Sequence, residues 1–124
     1  EEITEAAVVP KKWRPFAACV VDRESGGTLD KIQSGVGARN PRSSASGRWQ
    51  FLNSSWNKPL PYMVASKLKE TGVPKFVAKE VRVYLQNKPI YEWHGYWQDI
   101  GFVSVVTEGG WHHWSGAYCN GKRP

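Results

Sequence analysis

The clearest periodicity in the chain is a four-residue one. Phe16, Val20 and Glu24 recur at that spacing and so share one helical face. A helix is predicted from Pro15 to about Ser25. Pro15 suits a first turn, where no N–H is needed, and Gly26-Gly27 supplies the stop. Residues 26–48 lose the pattern. They are rich in Gly, Ser, Asn and Arg, with Leu29, Ile32 and Val36 as the larger aliphatics, and read as loop with room for a short hairpin. Apolar character returns at Trp49-Gln50-Phe51-Leu52, and Asn53 to Trp56 reads as the start of a short helix.

Pro59 and Pro61 interrupt the chain, so the next helix is expected from about Tyr62 to Thr71, closed by Gly72. Pro74 opens another to about Asn87, with Val77, Val81, Tyr84 and Leu85 at helical spacing. Residues 90–98 are aromatic. Gly101 to Thr107 is ambiguous: its β-branched residues favour a strand, while Trp97, Ile100, Val103 and Val106 fall at helical three-residue steps. On this pattern residues 1–12 are a leader or linker, 13–124 form one domain, and 57–98 are a helical and aromatic segment within it.

Composition narrows the class. The chain has 124 residues, 40% of them hydrophobic, enough for one small core. No apolar run approaches the ~20 residues that span a bilayer. The net charge of +6 favours anionic partners, nucleic acid or an anionic bacterial envelope among them. The basic residues form no dense run of the nucleic-acid-arm kind, and a solvated basic surface is the competing reading. Seven tryptophans are many for this length, and indole serves both cores and binding surfaces. The two cysteines are Cys19 and Cys119. Paired, they would close a loop worth roughly 4–5 kcal/mol; unpaired, they would be two buried thiols. There is no CxxC or HExxH spacing, so no metal or cofactor is expected.

Glu24 is the residue with the most chemistry in it. It sits in the last helical turn, where the dipole disfavours a carboxylate, on the face of Phe16 and Val20. A carboxyl beside apolar surface is desolvated, its pKa rises, and it can act as a general acid. A raised-pKa glutamate against apolar surface is the acid of glycoside cleavage, for which lysozyme is the standard worked example. The alternative is a solvated surface glutamate paired with Arg23.

Three blocks of sequence bear on that choice. They are Glu24-Ser25-Gly26-Gly27, then Gly47-Arg48-Trp49-Gln50-Phe51 with Ser55-Trp56, then Gly110-Trp111-His112-His113-Trp114 leading to Cys119. In this order they resemble the lysozyme-like peptidoglycan hydrolases, specifically the resuscitation-promoting-factor and transglycosylase-like domains of actinobacteria and their phages. Two features depart from that pattern. Cys19 lies five residues before Glu24 instead of beside it, and residues 57–98 are longer than the family's compact domain.

The resemblance implies a small α+β, mainly helical, lysozyme-like domain with an added helical segment. It implies cleavage of the β-1,4 bond between N-acetylmuramic acid and N-acetylglucosamine, with Glu24 as the acid. It pairs Cys19 with Cys119, which suits an extracellular or wall-associated protein, secreted by a bacterium or phage-encoded. Gln50, Ser46 and Asp30 become candidate sugar contacts, and Trp49, Trp111 and Trp114 candidate stacking platforms. A bracing amide at Gln50 and core packing for the tryptophans are the competing roles. The expected partner is peptidoglycan, with no nucleic acid, no membrane insertion and a monomeric state. Two rival functions stay open. One is a module that binds wall glycan without cutting it. The other is a cysteine peptidase using Cys19 with His94, His112 or His113.

Overall fold

The computed structural model describes residues 8–114 and 117–124. Its first regular element after a 3-10 turn at Lys11–Trp13 is helix α1, Arg14–Ser25. Phe16, Ala17, Val20 and Val21 are the buried face, as the four-residue period predicts. Gly26 ends the helix in the left-handed region at φ 73°, and its N–H donates to Asp22 O at 2.9 Å. Val9 is fully buried in the core, so the end of the segment read as a leader packs with the domain; residues 1–7 lie outside the described residues.

The sequence of residues 26–48 reads as loop with room for a short hairpin; the two-stranded antiparallel sheet that forms begins at their end and takes its second strand from beyond them. Strand β1 (Ala45–Ser46) pairs with β2 (Phe51–Leu52), Ser46 opposite Phe51. The short helix α2 follows at Asn53–Trp56. Helix α3 is Pro59–Glu70, three residues longer at its start than the sequence suggests. Pro59 and Pro61 fall in the first turn, where an N–H has no intrahelical acceptor, so the two prolines begin the helix and do not break it. Helix α4 is Lys75–Gln86.

The ambiguous stretch resolves as helix α5, Gly95–Thr107. Every residue from Gln98 to Val106 is buried. A helix covered on all sides shows no amphipathic stripe, which is why its β-branched residues could be read as strand. Burial of Ile100, Phe102, Val103, Val105 and Val106 stabilises the fold by ~1.5–3 kcal/mol per side chain. Helix α5 is the hub. Helix α3 packs along it, α4 packs on α3, and the 3-10 turn at Gly110–Trp114 folds back against it. The short helix α6, Ala117–Asn120, returns to α1, where Cys19 and Cys119 form a disulfide across 100 residues of sequence. Disulfides persist in oxidising compartments. The domain is thus mainly helical with one small sheet, and no helix among the described residues is long and apolar enough to cross a membrane.

Candidate functional site

Helix α1 carries Glu24 to the end of its buried stripe. Phe16 and Val20 lie under the core, and one turn further the same face opens to solvent at Glu24. Nearby protein still desolvates the carboxyl enough to hold it above its ordinary value of 4.5, against the charge of Arg23, which pulls the other way. No carboxylate among the described residues contributes to that shift. Asp22 and Asp30 face elsewhere: they line a groove of about 440 Å³ with Arg14 and Leu29, and Glu24 is not in its wall. The structure therefore groups Asp30 with Asp22 and not with Glu24; Asp22 and Glu24, two residues apart on α1, point to different sides of the helix.

The second block forms a tight turn between β1 and β2. Gly47 is at φ 85°, and a Cβ there would come within 2.4 Å of Gln98 Oε1. Gln50 is also left-handed, at φ 54°, the one such non-glycine among the described residues. Such strained residues cluster at functional sites. The Gln50 Nε2 donates to Ala38 O at 3.2 Å and Gly47 O at 2.9 Å. Its amide thus braces the loop, the competing role named for it above.

The tryptophans expected on a sugar-binding surface divide differently from that expectation. Trp49 is 0% exposed. Its ring stacks on Phe102 with centroids 3.7 Å apart, and its Nε1 donates to Asp99 Oδ1 at 2.8 Å. Trp114 is 7% exposed and donates its Nε1 to Trp49 O at 2.8 Å. Both are corrected to core residues: each indole N–H is used by a buried acceptor, and neither ring face is open to a sugar. Trp111 is half-buried, with the Arg123 guanidinium 4.0 Å from its ring centroid, and stays a candidate platform. Ser46 is buried, with Oγ unpartnered among the described residues, at the wall of a polar groove of about 150 Å³ that also includes Asn40, Asn53 and Tyr91.

What the sequence reading missed is the device behind this turn. Arg48 and Asp99 are both fully buried and joined by two hydrogen bonds, Nε to Oδ1 at 2.8 Å and Nη2 to Oδ2 at 3.3 Å. The Arg48 Nη1 then donates to Thr28 O, Lys31 O and Ser34 O at 3.2, 2.7 and 2.9 Å. One guanidinium therefore gathers the loop that leaves Glu24 and ties it to α5. Gln98 completes the clamp, accepting from Arg48 N at 2.8 Å and donating to Val36, Ile90 and Trp93 carbonyls. Burial pushes the Asp99 carboxyl up to about 6 although the Arg48 charge, its hydrogen bond and that of Trp49 all pull it down. A lone acid directly before the largely apolar run Ile100–Val106 was the available signal, since charges are seldom fully buried unless paired.

The three sequence blocks thus meet in one structure. Trp114 of the third block seats the turn of the second, and Cys119 ties the chain's end to α1 of the first. The disulfide consumes Cys19, which removes the nucleophile of a cysteine peptidase. His112 and His113 stack at 4.7 Å, and desolvation with the neighbouring His112 lowers His113. No group of three His, Cys, Asp or Glu side chains among the described residues could hold a metal. No protein-family model, no curated protein and no solved structure matches this chain.

Proposed function

We propose that the chain is a muralytic enzyme that cleaves the β-1,4 bond between N-acetylmuramic acid and N-acetylglucosamine with Glu24 as its single acid. The observation that carries this reading is Glu24 itself: a carboxyl at the open end of a buried helical stripe, held above its ordinary value by desolvation. Such a group stays protonated at higher pH than a solvated glutamate and can deliver its proton as a bond breaks. The resemblance of the three sequence blocks supplies the substrate.

In this mechanism Glu24 donates its proton to the glycosidic oxygen as the C1–O bond opens. The resulting carboxylate then takes a proton from the sugar's own 6-hydroxyl as that oxygen closes on C1. The glutamate is regenerated, and the product carries a 1,6-anhydro ring. Hydrolytic cleavage by a carboxylate pair requires a second acid within about 5–10 Å. Asp22 and Asp30 lie together on another groove, which favours the single-glutamate route. The disulfide suits an enzyme working outside the cytoplasm, at the wall, whether secreted or phage-encoded.

Purified actinobacterial peptidoglycan treated with the parent chain and with Glu24→Gln tests the reading. Lysis by the parent, its loss in the variant, and soluble muropeptides one water lighter than hydrolysis products are expected. Reducing ends in their place would replace the single-glutamate route by hydrolysis. Unchanged lysis by Glu24→Gln would overturn the role of Glu24. Retention on insoluble wall without lysis by either protein would make the chain a binding module.

A further inference from the structure

The charge of this protein is not spread evenly. Residues 58–88 hold seven basic residues and two acids, a net +5 of the chain's +6. This is the segment that the resemblance leaves without a role. It folds as the α3–α4 pair, and much of its charge converges. Lys69 near the end of α3 and Lys75, Lys79 and Arg82 along one face of α4 line a groove of about 250 Å³, with Tyr62 and Ser66 on the α3 wall. No acid lines it.

Intramolecular packing does not account for the arrangement. Lys75 and Lys79 are one turn apart, where like charges weaken a helix. Both are exposed, as is Lys69. Glu70, the acid nearest in sequence to Lys69, pairs with Lys67 at 3.4 Å. Arg82 is held in place: its guanidinium lies 4.5 Å from the Tyr62 ring centroid and its Nη1 donates to Gln86 Oε1 at 2.9 Å. One oriented guanidinium and three exposed ammonium groups around a concave, hydroxyl-bearing groove match an anion with repeated charges. Phosphate meets guanidinium and ammonium donors by charge-assisted hydrogen bonds.

We propose that the α3–α4 groove binds a phosphodiester polymer of the bacterial cell wall, successive phosphates bridging Lys69, Lys75, Lys79 and Arg82. The wall as the source rests on the muralytic reading; the anionic ligand rests on the groove alone. Bound there, the polymer would hold the enzyme on its insoluble substrate through a surface separate from Glu24. A flat anionic membrane is the less suitable occupant, because these cations line a cleft between two helices, although Phe76, Val83 and Tyr84 are exposed on α4.

The test uses the Glu24→Gln chain, so that cutting plays no part, and a fluorescent glycerol-phosphate oligomer read by anisotropy across a salt series. Binding should weaken with salt. Lys69→Gln/Lys75→Gln/Lys79→Gln should lower affinity tenfold or more and reduce the log–log salt slope by about 2, three phosphate contacts at roughly 0.7 each. A charge-matched control, Lys11→Gln/Lys12→Gln/Lys122→Gln, removes three exposed lysines elsewhere and should leave affinity within twofold. Equal losses in the two triple variants would overturn the groove. Tighter binding to duplex DNA or to phosphatidylglycerol vesicles than to the oligomer would overturn the ligand. Lysis of peptidoglycan by the parent is scored separately. Oligomer binding without lysis keeps the groove and removes the enzyme, and lysis without oligomer binding does the reverse.

Discussion

Replacing Arg48 with leucine removes the cation of the buried pair and leaves Asp99 behind. The carboxylate keeps one of its partners, the Trp49 Nε1 at 2.8 Å. Thr28, Lys31 and Ser34 lose the Nη1 that gathers their carbonyls. Breaking a buried ion pair from one side costs ~3–5 kcal/mol, a large part of the ~5–15 kcal/mol that holds a domain together. With a urea slope of ~2 kcal/mol per molar, the unfolding midpoint should fall by about 2 M. The loss should depend on pH. Asp99 already sits at about 6 with Arg48 beside it. Without that charge it rises further, so the folded variant binds a proton that the unfolded chain releases near the ordinary 3.8. A folded-state pKa raised in this way gives stability that is present at low pH and lost as pH climbs. Arg48→Leu should therefore be damaged less at pH 5 than at pH 8. Adding Asp99→Asn should remove most of the difference between the two pH values. Tryptophan fluorescence follows the transition, since Trp49 touches the clamp directly. A midpoint shift under about 0.5 M, roughly 1 kcal/mol, or equal shifts at both pH values, would refute the clamp as the anchor of this loop.

Reducing the Cys19–Cys119 bond, or replacing both cysteines with serine, should cost ~4–5 kcal/mol by loop closure over 100 residues; a urea midpoint shifted by less than 0.5 M, or roughly 1 kcal/mol, would count against it. Gly47→Ala forces a Cβ to within 2.4 Å of Gln98 Oε1 at φ 85°. Strain of ~1–2 kcal/mol plus overpacking of ~1–3 kcal/mol should lower the melting temperature, and an unchanged one would show that the turn relaxes freely. Lysis should fall as pH rises through the raised value of Glu24, because only the protonated acid works. Arg23→Gln removes the one charge that lowers that carboxyl, so the falling limb of the pH–rate profile should move to higher pH; a limb that stays put would remove Glu24 from the proton transfer.

Local signals in the sequence carried much of the architecture. The Phe16–Val20–Glu24 period, Gly26 and Pro74 mark helix faces and ends within a residue or two of where they fall, because capping and first-turn proline act over a few residues. Helix α5 escaped a firm reading for a physical reason: a segment buried on every side carries no polar face to set its phase. The site divides in the same way. The Cys19–Cys119 pairing, which the resemblance of short motifs implies, is present; the same motifs single out Glu24, whose carboxyl is held above its ordinary value by desolvation. The tryptophan assignments fail at Trp49 and Trp114 because residue type records volume and a donor, but not which side of the chain is wet. The fate of Trp49 is decided by Phe102 and Asp99, about 50 residues away along the chain, and that of Trp114 by the Trp49 carbonyl, 65 residues away. The Arg48–Asp99 pair, 51 residues apart, belongs to the same class of long-range fact.

That pair also links two halves of the candidate site that the sequence separates. Its carbonyl contacts set the loop that begins four residues after Glu24, and its own backbone lies inside the turn that presents Gln50. A shift of Arg48 therefore moves the loop that follows Glu24 and the turn that carries Gln50 together. Buried ion pairs are poor sources of net stability, because desolvation offsets the attraction. A leucine–isoleucine pair of similar volume could hold α5 as well, yet it could not satisfy three loop carbonyls at once. The use of this pair is positional: it fixes a glycine- and serine-rich loop with few apolar side chains, the segment that follows Glu24 in the chain. Catalytic groups must be held to within about 1 Å for full rate. Variants of the clamp that still fold, such as Arg48→Lys, should then lose lysis by more than their loss of stability accounts for. Lysine keeps the charge but cannot span Asp99 and three carbonyls with one planar donor set.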